Sequence, residues 1–211
     1  MNDTAGRVPR RRRRKEARPA EILGAALEEF AANGYAATRL DDVARRAGVS
    51  KGTIYLYFDD KEALFKEVVR RSVVPHLERL RAAVDGATGS AEAFLRNDFK
   101  GFALGLIESE ARHVVRLLVA EGPRFPDLAG FYFDEVVGPG MAALGALVDR
   151  AVARGEFRRT ALGELPQLLV APALVALIWR ALFDRRRPLD LDELFDTHVD
   201  LVLNGLKEGR P

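Results

Sequence analysis

Cysteine is absent from the 211 residues. That excludes disulfides, thiolate metal sites and a cysteine nucleophile, and it fits a reducing compartment. Histidine is scarce: His76, His113 and His198 are scattered, and no pair has the spacing of metal ligands. No metal and no other cofactor is therefore expected. Long apolar runs are lacking as well. The nearest, 165–182, is interrupted by Pro166, Pro172 and Arg180, so nothing matches the roughly 18 uncharged residues of a membrane span. The basic start has no apolar stretch behind it, unlike a secretory signal. Neither a catalytic triad nor a phosphate-binding loop is present, which argues against an enzyme. A cytoplasmic protein without a membrane partner is expected.

What is abundant is positive charge at one end. The net charge is only +2, yet residues 1–18 hold Arg7, Arg10 to Arg14, Lys15 and Arg18 against two acids, Asp3 and Glu16. The remainder is therefore weakly acidic, so an anionic partner is expected at one end only. Residues 1–17 are polar and aperiodic and read as a disordered basic arm.

Beyond Arg18 the apolar residues recur at helical spacing almost throughout, and no strand alternation or fixed repeat is evident. Ile22, Leu23, Ala26, Leu27 and Phe30 form one stripe of a first helix, from about Pro19 to Asn33, stopped by Gly34. A short helix 40–47 follows, with Thr38 and Asp41 at capping-box spacing. Gly48 ends it, and Ser50 can cap a third helix, 51–58. Asp59 and Glu62 can cap a fourth. Further helices are expected at 61–86 (kinked at Pro75), 90–107, 109–120, 126–154 (with a potential break at 138–140), 163–184 and 191–207.

Two short helices joined by a tight Gly48-Val49-Ser50 turn have the geometry that lets the second enter a DNA major groove. Val43, Val49, Ile54 and Phe58 can form the buried wedge. Left facing outward are Lys51, Gly52, Thr53, Tyr55 and Tyr57, a set suited to phosphates and base edges, with the helix N-terminus at Ser50 as a further phosphate seat. Pattern alone also fits an ordinary helix pair with half-buried tyrosines.

The ungapped run 18–65, with Gly34-Tyr35, Thr38, Asp42-Val43-Ala44, Ala47 through Tyr55, Tyr57-Phe58 and Lys61 through Phe65, closely resembles the N-terminal domain of TetR/AcrR regulators. The resemblance implies an all-α chain. A three-helix, helix-turn-helix DNA-binding domain (18–64) would precede a larger helical domain for ligand binding and dimerisation (65–211). It also implies that Ser50, Lys51, Gly52, Thr53, Tyr55, Tyr57 and Lys61 face DNA and that Thr38 contacts phosphate. Residues 116–139 more weakly resemble the regulatory domain of AefR-like members. The expected function is a homodimeric repressor on a palindromic double-stranded DNA operator, released by a small lipophilic effector. An architectural DNA binder working through the arm is the alternative.

Helix 163–184 is apolar around most of its circumference, and 191–207 adds a second apolar helix. Two such helices per subunit fit a four-helix dimer interface, with Leu168, Val175, Trp179, Leu182, Phe195, Val199 and Val202 as its candidates; a fully buried monomer helix remains the alternative. For the effector, Phe102 and Leu106 lie near Gly101 and Gly105, which can leave space beside the rings, and His113, Phe131 and Trp179 are further candidate lining residues.

Overall fold

The computed structural model describes residues 10–206, with side chains from Arg18 onward. No strand occurs among them. The chain divides into two compact units, Met1–Val68 and Val69–Pro211.

The first unit is built on α1 (Arg10–Ala37), α2 (Leu40–Ala47) and α3 (Lys51–Tyr55), with α4 (Lys61–Ser72) extending beyond its boundary. Helix α1 starts at Arg10, not at Pro19, so the expected disorder of 10–17 is corrected; residues 1–9 of the arm lie outside the described residues. The run of Arg, Lys, Glu and Ala before Pro19 consists of strong helix formers, which carry the helix through one proline. Gly34 breaks the helical path with φ 77°, the left-handed region that glycine enters without steric cost. Gly48 does the same after α2, at φ 65°, and its N–H closes onto the carbonyls of Ala44 and Arg45. Ile22, Ala26, Phe30, Val43, Ile54, Leu64 and Phe65 form the core beneath these turns. Phe30 stacks on Tyr35, and both meet Phe65 edge-on.

The second unit holds α5 (Val74–Gly86), α6 (Ala91–Phe94), α7 (Lys100–Glu108), α8 (Ala111–Glu121), α9 (Pro126–Tyr132), α10 (Gly138–Ala153), α11 (Gln167–Leu182) and α12 (Leu191–Leu206). Instead of one helix kinked at Pro75, the chain breaks at Val73. Pro75 then sits in the first turn of α5, where its missing N–H has no intrahelical partner to lose. Short π-helical stretches, Leu95–Phe99 and Phe133–Val137, join α6 to α7 and α9 to α10. Gly138-Pro139-Gly140 consequently does not end the helix. Pro126–Ala153 is one 28-residue helical run, long and apolar enough by length and composition to cross a membrane. Leu144, Leu147, Val148 and Ala151 of this run are core residues.

Helix α11 has two apolar faces. Leu169, Ala173, Ala176 and Leu177 are buried, whereas Leu168, Val175, Ile178 and Leu182 are exposed. Helix α12 differs: Phe195 and Val199 are packed inside the unit's own core, which corrects their assignment to a dimer surface. Val202 is half-buried against the same core. The outer face of α12 is acidic. Asp192 and Asp196 hold Lys100, and Asp200 holds Arg96.

Candidate nucleic-acid interface and ligand cleft

Ser50 has extended backbone (φ −75°, ψ 153°) and caps α3, its Oγ accepting from the Thr53 N–H at 3.2 Å. The two hydroxyls lie 2.8 Å apart, so only one of their protons is used between them. Ile54 and Phe58 point inward as the wedge. Tyr55, Leu56 and Tyr57 point outward, Leu56 most of all. The regular helix is a single short turn, Lys51–Tyr55, rather than the predicted 51–58. Gly52 is exposed, and a Cβ there would meet nothing nearer than Ser50 Oγ at 3.9 Å. Internal packing thus leaves room for a side chain at this position. Lys51 Nζ is held by the Asp41 carboxylate, 3.0 and 3.1 Å from its two oxygens.

Two predicted contacts are corrected. Thr38 is only 2% exposed, and its hydroxyl donates inward to the carbonyls of Gly34 (2.6 Å) and Glu29 (3.2 Å). It does not cap α2, whose cap position is Arg39. Lys61 Nζ donates to the carbonyls of Tyr35, Ala36 and Thr38 at 2.8–3.2 Å and lies 4.5 Å from the Tyr35 ring centroid. All three ammonium protons are spent closing the end of α1. Burial, with Glu62 and Asp60 nearby, pushes the Tyr35 phenol up to about 12.

Sequence spacing also passed over Glu29 and Arg39. Glu29 is buried, accepts from Asn33 (2.7 Å) and Arg46 (2.7 Å), and so pins α2 to α1. Arg39 is exposed at the start of α2. Its position beside the Thr38 of the family pattern was the available signal.

In the second unit, a cleft of about 210 Å³ is lined by Leu80, Ala83, Gly101, Phe102 and Gly105, with His76, Arg79 and Asp98 contributing the polar groups. A Cβ at Gly101 or Gly105 would meet no atom within 4 Å. The predicted room beside these glycines is present in the structure, next to Phe102. Leu106, His113, Phe131 and Trp179 do not line it. Phe131 lies under the Arg70 guanidinium, 5.1 Å from its ring centroid. Trp179 donates to the Arg187 carbonyl at 2.8 Å and packs edge-on against Phe183. A wider and more polar cleft of about 640 Å³ lies between α10 and residues 159–164 and contains none of the predicted residues. Among the described residues no group of three His, Asp or Glu side chains is placed to hold a metal.

Residues 22–68 match the model of the bacterial regulatory proteins of the tetR family, and residues 85–202 match the tetracyclin repressor-like C-terminal domain. The chain belongs to the TetR family. Residues 22–68 of this TetR-family chain are accordingly its helix-turn-helix DNA-binding domain. Among relatives, the fatty acid metabolism regulator protein of Bacillus subtilis is 33% identical over 92 residues, 43% of this chain and 47% of that protein. The activator FasR of Mycolicibacterium smegmatis is 33% identical over 117 residues, 49% of each. The chain thus spans about half the length of these two relatives. The repressor KstR2 of Mycolicibacterium smegmatis is matched further, 26% identical over 194 residues, 90% of this chain and 91% of KstR2. The crystal structure of FadR from Bacillus subtilis in complex with stearoyl-CoA superposes with TM-score 0.74 at 22% identity, covering 89% of this chain and 98% of FadR. That likeness concerns the fold.

Proposed function

We propose that this TetR-family regulator is a cytoplasmic homodimeric repressor that grips a palindromic operator and releases it when a small lipophilic ligand enters the second unit. Residues 18–64 act as the reading head, 65–211 as the ligand-binding and dimerisation domain, and 1–17 as an auxiliary arm on phosphates.

The observation that carries the reading is Gly52. Internal packing does not require a glycine here, and its place on the outer side of α3 fits a surface that comes close to the backbone. Around it stand Ser50, Lys51, Thr53, Tyr55 and Tyr57. The hydroxyl of Thr53 and the backbone of Gly52 suit base edges, and Lys51 and the phenols suit phosphates. The uncovered apolar face of α11 supports a twofold partner, which presents two heads to two half-sites about one helical turn apart. The cleft beside Phe102 supports a ligand with an apolar portion. Given relatives named for fatty acid metabolism and a FadR structure holding stearoyl-CoA, long-chain acyl-CoA thioesters are the first class to try.

Release requires that the ligand bind the DNA-incompetent state more tightly than the competent one; tight binding alone shifts nothing. Helix α4, which carries residues of both units, is the proposed route.

Selection of duplexes from a random pool by the purified protein tests the reading. A symmetric motif with half-sites about one turn apart is expected, bound less tightly by G52V and T53V, and released by an acyl-CoA from the unaltered protein but not from G105L, which fills the cleft. No enriched motif would overturn the DNA reading. Equal release of G105L would overturn the cleft.

A further inference from the structure

The cations of the reading head are largely occupied. Arg45 is bonded to Asp42 at 2.8 Å, Arg46 to Glu28 and Glu29 at 2.8 and 2.7 Å, Lys66 to Glu62 at 2.7 Å, and Lys61 to three carbonyls. Residues 18–68 contain seven Lys or Arg and nine Asp or Glu, so the head by itself is net acidic. For a partner of dense negative charge this is a costly composition, and affinity gained by indiscriminate attraction is correspondingly small. One pair differs in place. Lys51 opens the recognition helix, and the acid holding it, Asp41, comes from α2 across the turn.

We propose that Asp41 is a specificity-determining residue that tethers Lys51 in one direction. A free lysine has a flexible four-carbon stem and can follow phosphates wherever a duplex in any register presents them. A tethered lysine cannot. Its ammonium carries three protons and no acceptor. With the carboxylate taking part of that capacity, the remaining protons point along a fixed line. A duplex docked in the correct register places a phosphate on that line, and the ammonium bridges phosphate and Asp41 together. A duplex in a wrong register must first break the pair and then leaves Asp41 facing DNA alone. The pair is about half exposed on both sides (51% and 47%), so the discrimination it supplies is modest, and this suits a device that shapes selectivity without locking the head.

Other contributions of Asp41 would behave differently. An acid in the first turn of α2 also favours the helix through its dipole. That contribution would shift the melting temperature of the variant and affect all duplexes equally. It would also be indifferent to the residue at position 51.

The proposal rests on α3 as the reading helix, and the test separates the two. Binding of D41N, D41E, K51M and the double variant D41N/K51M is measured on the selected duplex and on a scrambled duplex of equal length across a salt series. The proposal expects D41N to bind the scrambled duplex up to about fivefold more tightly, the gain available from freeing an exposed pair. Its scrambled-duplex salt slope should steepen by about 0.9, one added phosphate contact. Affinity for the selected duplex should be unchanged or weaker, D41E should restore the discrimination, and once Lys51 is methionine D41N should leave the ratio of the two affinities unchanged. Equal shifts on both duplexes by D41N alone, or a change in their affinity ratio that D41N still causes in K51M, would overturn the tether. If K51M alone left both affinities and both slopes untouched, the failure would lie with α3 as the reading helix instead.

Discussion

Replacing Val175 by aspartate should convert the proposed dimer to monomer. Along α11 the outward residues Leu168, Ala171, Val175, Ile178 and Leu182 alternate at spacings of three and four, the pattern of a helix seam. The four larger ones are 54, 52, 43 and 67% exposed. Fully burying such a side chain is worth about 1.5–3 kcal/mol, and with about half of each still to cover, each adds roughly 1 kcal/mol. Twofold symmetry doubles the stripe to roughly 6–10 kcal/mol. Association costs about 4–15 kcal/mol, so the stripe and the cost are comparable and a single charge at its centre decides the outcome. Two carboxylates brought from water into a dry seam cost several kcal/mol. A weakening of at least about 100-fold, some 2.7 kcal/mol, is therefore expected. Sedimentation over a wide concentration series measures it, with V119D on α8, exposed but off the seam, as the control. Identical sedimentation of V175D and the unaltered protein would rule out the α11 seam, as would a monomeric unaltered protein at the concentration that fills its operator.

Three other outcomes follow from the geometry. T38V should lower the melting temperature, because it removes a buried hydroxyl serving two carbonyls, at a cost of about 1–3 kcal/mol; the protein that remains folded should bind DNA normally. Lost DNA affinity at an unchanged melting temperature would return that hydroxyl to the interface. K61M should behave in the same way, since its ammonium closes the end of α1. Finally, burial holds the imidazoles of His76, His113 and His198 below their ordinary 6.5. The unfolded chain therefore takes up protons first on acidification, and the stability from these groups, full above 6.5, declines as the pH falls towards the lowered values. His198 Nε2 is buried without a hydrogen-bond partner, so H198L should flatten that decline in a pH series of melting temperatures. An unaltered slope would count against it.

The parts of this fold legible in the sequence are those fixed by local chemistry. Gly34, Gly48 and Ser50 set their turns through φ preference and a side-chain cap, so α2 and the start of α3 fall where spacing places them. The inward wedge of Ile54 and Phe58 follows from the same periodicity. What spacing misses is decided across the fold. The Thr38 hydroxyl faces inward because two carbonyls of α1 lie within its reach, Gly34 at 2.6 Å and Glu29, nine residues earlier, at 3.2 Å. Helix α11 is apolar on both faces, so its period cannot say which face the core takes, and on α12 Phe195 and Val199 turn inward while Leu201 stays exposed. Pro19 and Pro75 each read as a boundary or kink. One sits inside a helix of strong formers, and the other sits in a first turn, where a proline costs little.

The corrections at Thr38 and Lys61 point the same way as the paired cations. Most polar groups of the head are consumed in building it, and few are left for a duplex: Ser50, Lys51, Thr53, the two tyrosines and Arg39. Each phosphate neutralised contributes about 0.9 to the salt slope, so one head offers a shallow slope and weak affinity. On the proposed reading, strength must then come from elsewhere in the assembly. Coupling two heads makes the second docking intramolecular and multiplies affinity without any new contact. Residues 1–17 carry seven Lys or Arg against two acids and can supply counterion release that the head withholds. The two sources are separable: removing 1–17 should flatten the salt slope while half-site symmetry persists, whereas V175D should abolish the symmetry and leave the slope per head intact. A truncated protein with an undiminished slope would mean that the acidic head gives up its internal pairs on DNA after all, Lys51 first among them.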